Sequence, residues 1–113
     1  MHEFSLAQNI VEIVEESIVA NNVSNVEEIV LEIGTLAGVE IPALELALES
    51  LKPNSVLKDS TIQISILEAE AVCEDCSSLF VPTDAYTACP DCGSFRKKIL
   101  TGTELKVKSI VAT

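Results

Sequence analysis

The residues with the most definite chemistry in this sequence are its four cysteines. They occur as Cys73-Glu74-Asp75-Cys76 and Cys89-Pro90-Asp91-Cys92, separated by the twelve residues 77–88. This C-x2-C-x12-C-x2-C spacing lets two tight turns present four sulfurs to one tetrahedral ion, and it reads as a structural zinc site. Four thiolates close the coordination sphere and leave no position for a reacting water, so the site is expected to hold structure. Other chemistries use the same residues. A disulfide framework suits a secreted mini-protein, but the N-terminal residues lack a signal-peptide pattern, so the thiols are expected to stay reduced. A thioredoxin-like redox pair explains one C-x-x-C and leaves the other idle. An iron site of rubredoxin type uses the same four sulfurs and stays open on spacing alone.

His2 is the only histidine. A histidine at position two is most often a solvated terminal residue. The other chemistry open to it is chelation: a free α-amine, the amide nitrogens that follow and the imidazole can wrap a divalent ion in fused rings. Deprotonated amides are strong planar donors, which favours nickel(II) or copper(II) over tetrahedral zinc. With a bulky histidine next to it, Met1 is expected to remain in place as the amine donor.

Several elements must position these groups. Ser5 to Ala20 reads as a helix, with Ser5 and Gln8 at capping-box spacing and an apolar stripe of Leu6, Ile10, Val14 and Ile18 widened by Val11 and Ile13. A helix starting at residue 5 is expected to hold the first four residues at a fixed place on the surface. Asn21-Asn22 is a stop signal. Val26 to Ile33 alternates as a half-buried strand, with Ile29, Leu31 and Ile33 on one face. A loop bounded by Gly34 and Gly38 follows, then a helix opening at Pro42 with Leu44, Ala47, Leu48 and Leu51 as its stripe. Glu40, just before it, suits a helix N-terminus or a nearby cation. Thr61 to Leu67 is a second strand, with Ile62, Ile64 and Ile66 expected inward, and Glu104 to Val111 is a third. The cysteine module is thus an insertion between two strands, with short connections and limited hinge freedom. The expected fold is α+β, a small mixed three-stranded sheet packed with two helices, with an inserted four-cysteine zinc-ribbon domain. Residues 70–100 form the insertion, and 1–69 with 101–113 form the main domain.

Composition narrows the function. A chain of 113 residues with 48% hydrophobic residues can bury one modest core and a metal-stapled module. No apolar run approaches the roughly 18 residues that span a bilayer, so a soluble cytoplasmic protein without membrane association is expected. The net charge is −11, and all seven basic residues follow position 51. That surface suits a basic partner or a cation, or equally serves only to keep a small protein soluble, and it opposes a phosphate backbone. No Ser-His-Asp or Cys-His arrangement and no G-x-x-x-x-G-K loop occurs, so no enzymatic activity is expected. The rival to a metal carrier is a zinc-ribbon protein-interaction or nucleic-acid-binding module, supported by the cluster Arg96-Lys97-Lys98.

The opening Met1-His2-Glu3-Phe4-Ser5-Leu6-Ala7, the stretch from Glu32-Ile33-Gly34-Thr35 to Glu40, the two cysteine pairs and the ending Gly102-Thr103-Glu104-Leu105-Lys106-Val107-Lys108 resemble the HypA/HybF family of hydrogenase maturation factors over the whole chain. The resemblance implies a nickel metallochaperone with a nickel-binding α/β domain and an inserted zinc domain. It implies nickel at His2, supported by the Met1 amine and nearby backbone, and zinc at Cys73, Cys76, Cys89 and Cys92, with Glu3 and Glu40 as supporting acids. The partners it implies are a HypB-type GTPase, the hydrogenase large-subunit precursor and, in some organisms, urease maturation proteins. No nucleic acid is expected, and the chain is expected to be a monomer or weak homodimer. Several family members carry a histidine directly after a C-x-x-C pair; here those positions are Ser77 and Gly93.

Overall fold

The computed structural model describes residues 2–113. The elements run α1 (His2–Ala20), β1 (Val26–Gly34), α2 (Ile41–Leu51), a 3-10 turn (Lys52–Asn54), β2 (Thr61–Leu67), β3 (Glu70–Cys73), β4 (Leu79–Phe80), β5 (Lys97–Thr101) and β6 (Leu105–Ala112). They form two three-stranded sheets, ordered β2-β1-β6 and β4-β3-β5. The expected α+β class, with two helices and a small mixed sheet, is the one observed. By its contacts the chain divides into two compact units. One comprises the residues up to Leu31 with Val39–Ile64 and Val107–Thr113; the other comprises Glu32–Gly38 and Ser65–Lys106.

In the first unit, α1 begins three residues earlier than the capping pattern predicts. His2, Glu3 and Phe4 are helical, and Ser5 is an exposed residue inside the helix rather than its cap. Nothing before Ser5 resists helix, Glu3 complements the helix dipole in the first turn, and Phe4 continues the buried phase of Ala7, Val11 and Val14 backward. The stripe is correspondingly rotated: Ala7, Ile10, Val11 and Val14 are buried, whereas Ile13 is 49% exposed. Asn22 closes the helix in the left-handed region at φ 54. Val23 N–H donates to Ile18 O at 3.0 Å and Asn22 N–H to Val19 O at 3.3 Å, a Schellman ending.

Helix α2 packs against α1. Glu40 is its N-cap residue and makes no side-chain cap bond. The negative group comes from α1 instead, where Glu3 Oε2 accepts the Glu40 N–H at 3.2 Å. That bond holds the Glu3 carboxyl below its ordinary pKa of 4.5. Leu44, Ala47 and Leu48 of α2 join Val26, Ile29, Leu31, Leu57 and the α1 stripe as the buried apolar residues of this unit. Its buried polar side chain, Ser60, donates to Val26 O at 2.6 Å.

Sheet β2-β1-β6 is mixed. Thr113 N–H donates to Asn25 O at one end and Gly34 N–H to Glu104 O at the other, so β1 and β6 are antiparallel. Strand β2 starts beside Val26 through Ser60 and ends beside Thr35, whose N–H donates to Leu67 O, so β1 and β2 are parallel. The expected inward set of β2 holds only in part: Ile62 and Ile64 are half-buried, while Ile66 is 52% exposed. None of the described helices is long and apolar enough to cross a membrane.

In the second unit the backbone crosses itself at two glycines. A Cβ on Gly34 would lie 2.0 Å from Gly102 O, and one on Gly102 would lie 2.5 Å from Ala69 Cα. This close approach lets Leu36 N–H donate to Gly102 O at 2.7 Å and Ala69 N–H to Thr35 Oγ1 at 3.0 Å. The loop 34–38 is thereby tied to both chain segments that bracket the cysteine module.

The Glu3 cap gives a signed pH effect. Because the native pKa is lowered, its stabilisation is fully present above the ordinary value of 4.5 and is lost as pH falls below that through the lowered native value. In denaturant unfolding, wild type is expected to exceed Glu3→Gln in stability at neutral pH, and the difference should close on acidification. A difference that stays constant with pH would show that the carboxylate charge is not what caps α2.

Candidate metal centre

The two C-x-x-C turns are built alike. Strand β3 delivers Cys73 into the first, where Ser77 N–H donates to Cys73 O at 2.9 Å and Cys73 N–H to Ser78 O at 2.9 Å. In the second, Gly93 N–H donates to Cys89 O at 2.8 Å and Cys89 N–H to Ser94 O at 2.8 Å. Each turn needs a left-handed residue directly after its second cysteine. The first has Ser77 there at φ 65 and the second Gly93 at φ 78. The first cysteine of each pair is buried, Cys73 against β4 and β5 and Cys89 beside it, while Cys76 and Cys92 are exposed.

This arrangement brings all four sulfurs within 4.8 Å of one another. Cys73 Sγ lies 3.5 Å from Cys92 Sγ, and Cys76 Sγ lies 3.6 Å from Cys89 Sγ. Metal–sulfur bonds of about 2.3 Å at tetrahedral angles set sulfurs about 3.8 Å apart. A disulfide requires about 2.05 Å, and all four cysteines are free. The donor set therefore fits a tetrathiolate metal site.

The charge demand of the cluster points the same way. Ser78, whose hydroxyl oxygen is 3.3 Å from Cys76 Sγ and whose backbone also bonds that sulfur, lowers the Cys76 thiol to about 7. At Cys92 the Ser94 N–H favours the thiolate, but the neighbouring Cys73, Cys76 and Cys89 sulfurs and desolvation outweigh it and push the thiol up to about 12. One sulfur ionises readily and another is refused a charge because its neighbours crowd it. A divalent cation at the centre removes that conflict and lets all four ionise.

A second layer ties the turns together. Asp75, inside the first turn, accepts from the Ser94 hydroxyl and from Arg96 Nη1, the latter at 2.7 Å. Arg96 Nη2 also reaches Glu74 Oε2 at 3.5 Å, and Glu74 N–H donates to Arg96 O at 2.9 Å. Arg96 thus braces the metal centre, whereas sequence reading placed it in a cationic cluster. A signal for the brace was available: both pairs read Cys-x-Asp-Cys-x-Ser, placing Ser78 and Ser94 at equivalent positions.

The N-terminal candidates lie apart from this cluster in kind. His2 is the exposed first residue of α1, and the Met1 amine lies outside the described residues. Glu3 and Glu40 are brought together by the bond that caps α2. Among the described residues, the four cysteines are the group of metal-ligating side chains drawn within bonding range of one ion.

Comparison with known proteins places this architecture. Residues 1–112 match the family model described as HypA, hydrogenase/urease nickel incorporation, metallochaperone. A hydrogenase maturation factor HypA from Parabacteroides distasonis is 49% identical over 111 residues, covering 98% of this chain and 96% of that protein. One from Francisella philomiragia is 41% identical, covering 98% of both chains. Among solved structures, the nickel metallochaperone HypA from Helicobacter pylori superposes with a TM-score of 0.69 at 28% identity, over 97% of this chain and 96% of its own.

The turn geometry predicts opposite effects of two single substitutions. Ser77→Gly removes the cost of a left-handed serine and should stabilise the metal-loaded protein by about 1 kcal/mol. Gly93→Ala should destabilise it by about 1–2 kcal/mol from backbone strain alone, since an added Cβ meets nothing within 4 Å. Denaturant unfolding with metal retained measures both, and equal effects of the two would contradict the paired-turn description.

Proposed function

The chain belongs to the HypA family of nickel metallochaperones for hydrogenase maturation, and from that premise we propose that it binds nickel(II) at its N-terminus and delivers it to nickel-iron hydrogenase during maturation. In this reading His2 is the nickel ligand, with the Met1 amine and adjacent backbone amides completing the set and Glu3 and Glu40 as nearby carboxylates. Cys73, Cys76, Cys89 and Cys92 hold zinc(II), which neutralises the four thiolates and fixes the fold of their module. The nickel-binding domain comprises residues 1–69 and 101–113, and the zinc-binding domain residues 70–100. The protein acts in the cytoplasm, receives or passes nickel with a HypB-type GTPase and the hydrogenase large-subunit precursor, and in a urease-producing cell serves urease maturation proteins as well.

The observation that carries this reading is the pairing of two unlike donor sets in one chain of this family. The sulfur site is closed and half-buried, as a resident ion requires. His2 is exposed at the start of a helix, as a cargo that must be handed on requires. The nucleic-acid reading rests on the cluster Arg96-Lys97-Lys98, of which Arg96 is paired with Asp75 and Glu74.

Amide and imidazole donors must lose protons to bind, so nickel uptake should weaken as pH falls. Calorimetry and visible absorption on untagged protein are expected to give about one nickel per chain with a planar-type spectrum, lost in His2→Ala while both proteins keep their zinc. Equal nickel binding by wild type and His2→Ala, or binding indifferent to pH, would remove the N-terminal site from the proposal.

A further inference from the structure

We propose that the outer edge of β5 docks an extended acidic segment of a partner polypeptide by strand addition. The inference is independent of nickel and concerns the second unit alone. In the order β4-β3-β5, strand β5 is terminal. Its register with β3 pairs Cys73 with Lys97, Val72 with Lys98 and Ala71 with Ile99. The Glu74 N–H to Arg96 O bond makes Glu74/Arg96 a hydrogen-bonded pair, so Val72/Lys98 is one also. Lys97 and Ile99, lying between such pairs, therefore turn their backbone N–H and C=O groups away from β3 and toward the open edge.

Beside this edge is a cavity of about 370 Å³ lined by Leu36, Ala85, Phe95, Lys97, Ile99 and Thr103. It is apolar apart from Lys97 and the Thr103 hydroxyl, and Phe95 is 68% exposed at its margin. A strand added along β5 would place every second side chain on the cavity face. The chemistry of the occupant follows from charge. Lys97 and Lys98 have no carboxylate partner among the described residues, in a chain with eighteen acidic and seven basic side chains. Self-pairing about Lys98 would set Lys98 of one copy directly against Lys98 of the other and Lys97 against Ile99, so the edge disfavours a second copy of itself.

The register fixes the partner's pattern. Opposite Ile99 the partner needs an apolar residue entering the cavity, and opposite Lys98 and Lys97 it needs two acids. In an antiparallel addition these read apolar-acid-acid from N to C, as in Val-Glu-Glu. The chain's own copies of that pattern, Val14-Glu15-Glu16 and Val26-Glu27-Glu28, are already folded into α1 and β1.

The test uses the full-length protein with its metal as isolated and a labelled synthetic peptide with a Val-Glu-Glu core between threonines. Binding is read by anisotropy and by amide exchange. The expected result is saturable binding that weakens with salt, slower exchange at Lys97 and Ile99 with Lys98 unchanged, and an affinity loss of about tenfold or more in Lys97→Glu/Lys98→Glu. N-methylation of alternate peptide positions should abolish binding in one phase and spare it in the other. Equal binding of a Val-Lys-Lys peptide, protection elsewhere in the chain, or insensitivity to both N-methylation phases would overturn the proposal. Protection that rises with protein concentration without peptide would replace the acidic partner with a second copy of the chain.

Discussion

The gathering of four cysteine sulfurs within 4.8 Å of one another is the constraint on which the second unit depends. Its strands are short, four, two and five residues in β3, β4 and β5. Its buried cluster is Ala71, Cys73, Phe80 and Cys89, with Ile99 packed against it. So few apolar side chains do not offset the entropy of ordering the turns around them. Two of the cluster's members, Cys73 and Cys89, belong to the four-cysteine group that could hold a metal ion, so core and candidate site are one structure. A dication held by the four sulfurs would neutralise the charge that such crowded thiols otherwise resist carrying. The backbone bonds of the two turns and the Asp75–Ser94–Arg96 brace determine where the sulfurs stand before that charge arrives.

The first unit is held by different physics. Its buried apolar residues are aliphatic and drawn from α1, α2, β1 and, in Leu57, the segment before β2, and its buried polar side chain is satisfied by a backbone carbonyl. Here the electrostatic feature is local: a carboxylate in the first turn of one helix caps the next. That bond draws the His2-Glu3 end of α1 to the N-terminus of α2. A carrier that must release its ion benefits from donors on an exposed, ordered end, and a resident ion benefits from donors whose turns are closed by backbone bonds.

Much of this was legible in the sequence. The C-x-x-C pairs specify their own turns, because the spacing within each pair and the residue after it dictate local hydrogen bonds. The strand at 61–67 and the helix near Pro42 were equally readable from period and punctuation. The start of α1 was misplaced because Ser5 and Gln8 imitate a cap. Local pattern cannot weigh that signal against Phe4 joining the buried stripe and Glu3 bonding a residue 37 positions away. Ile66 and Ile13 looked internal by alternation, but burial depends on whether a neighbouring layer reaches them.

What the sequence by itself determined is the identity of the donors and the short-range spacing that groups them in pairs: sulfur types, the two C-x-x-C turns, and a lone histidine at residue 2. Only the tertiary structure decided which pair faces which, that Arg96 pairs with Asp75 while Lys97 and Lys98 have no carboxylate partner among the described residues, and that β5 ends its sheet with two backbone positions facing outward. The physical reason is one of range. Bonds within a turn are set by neighbours a few residues apart, whereas ion pairing and edge exposure depend on which distant segments the folded backbone brings within a few ångströms.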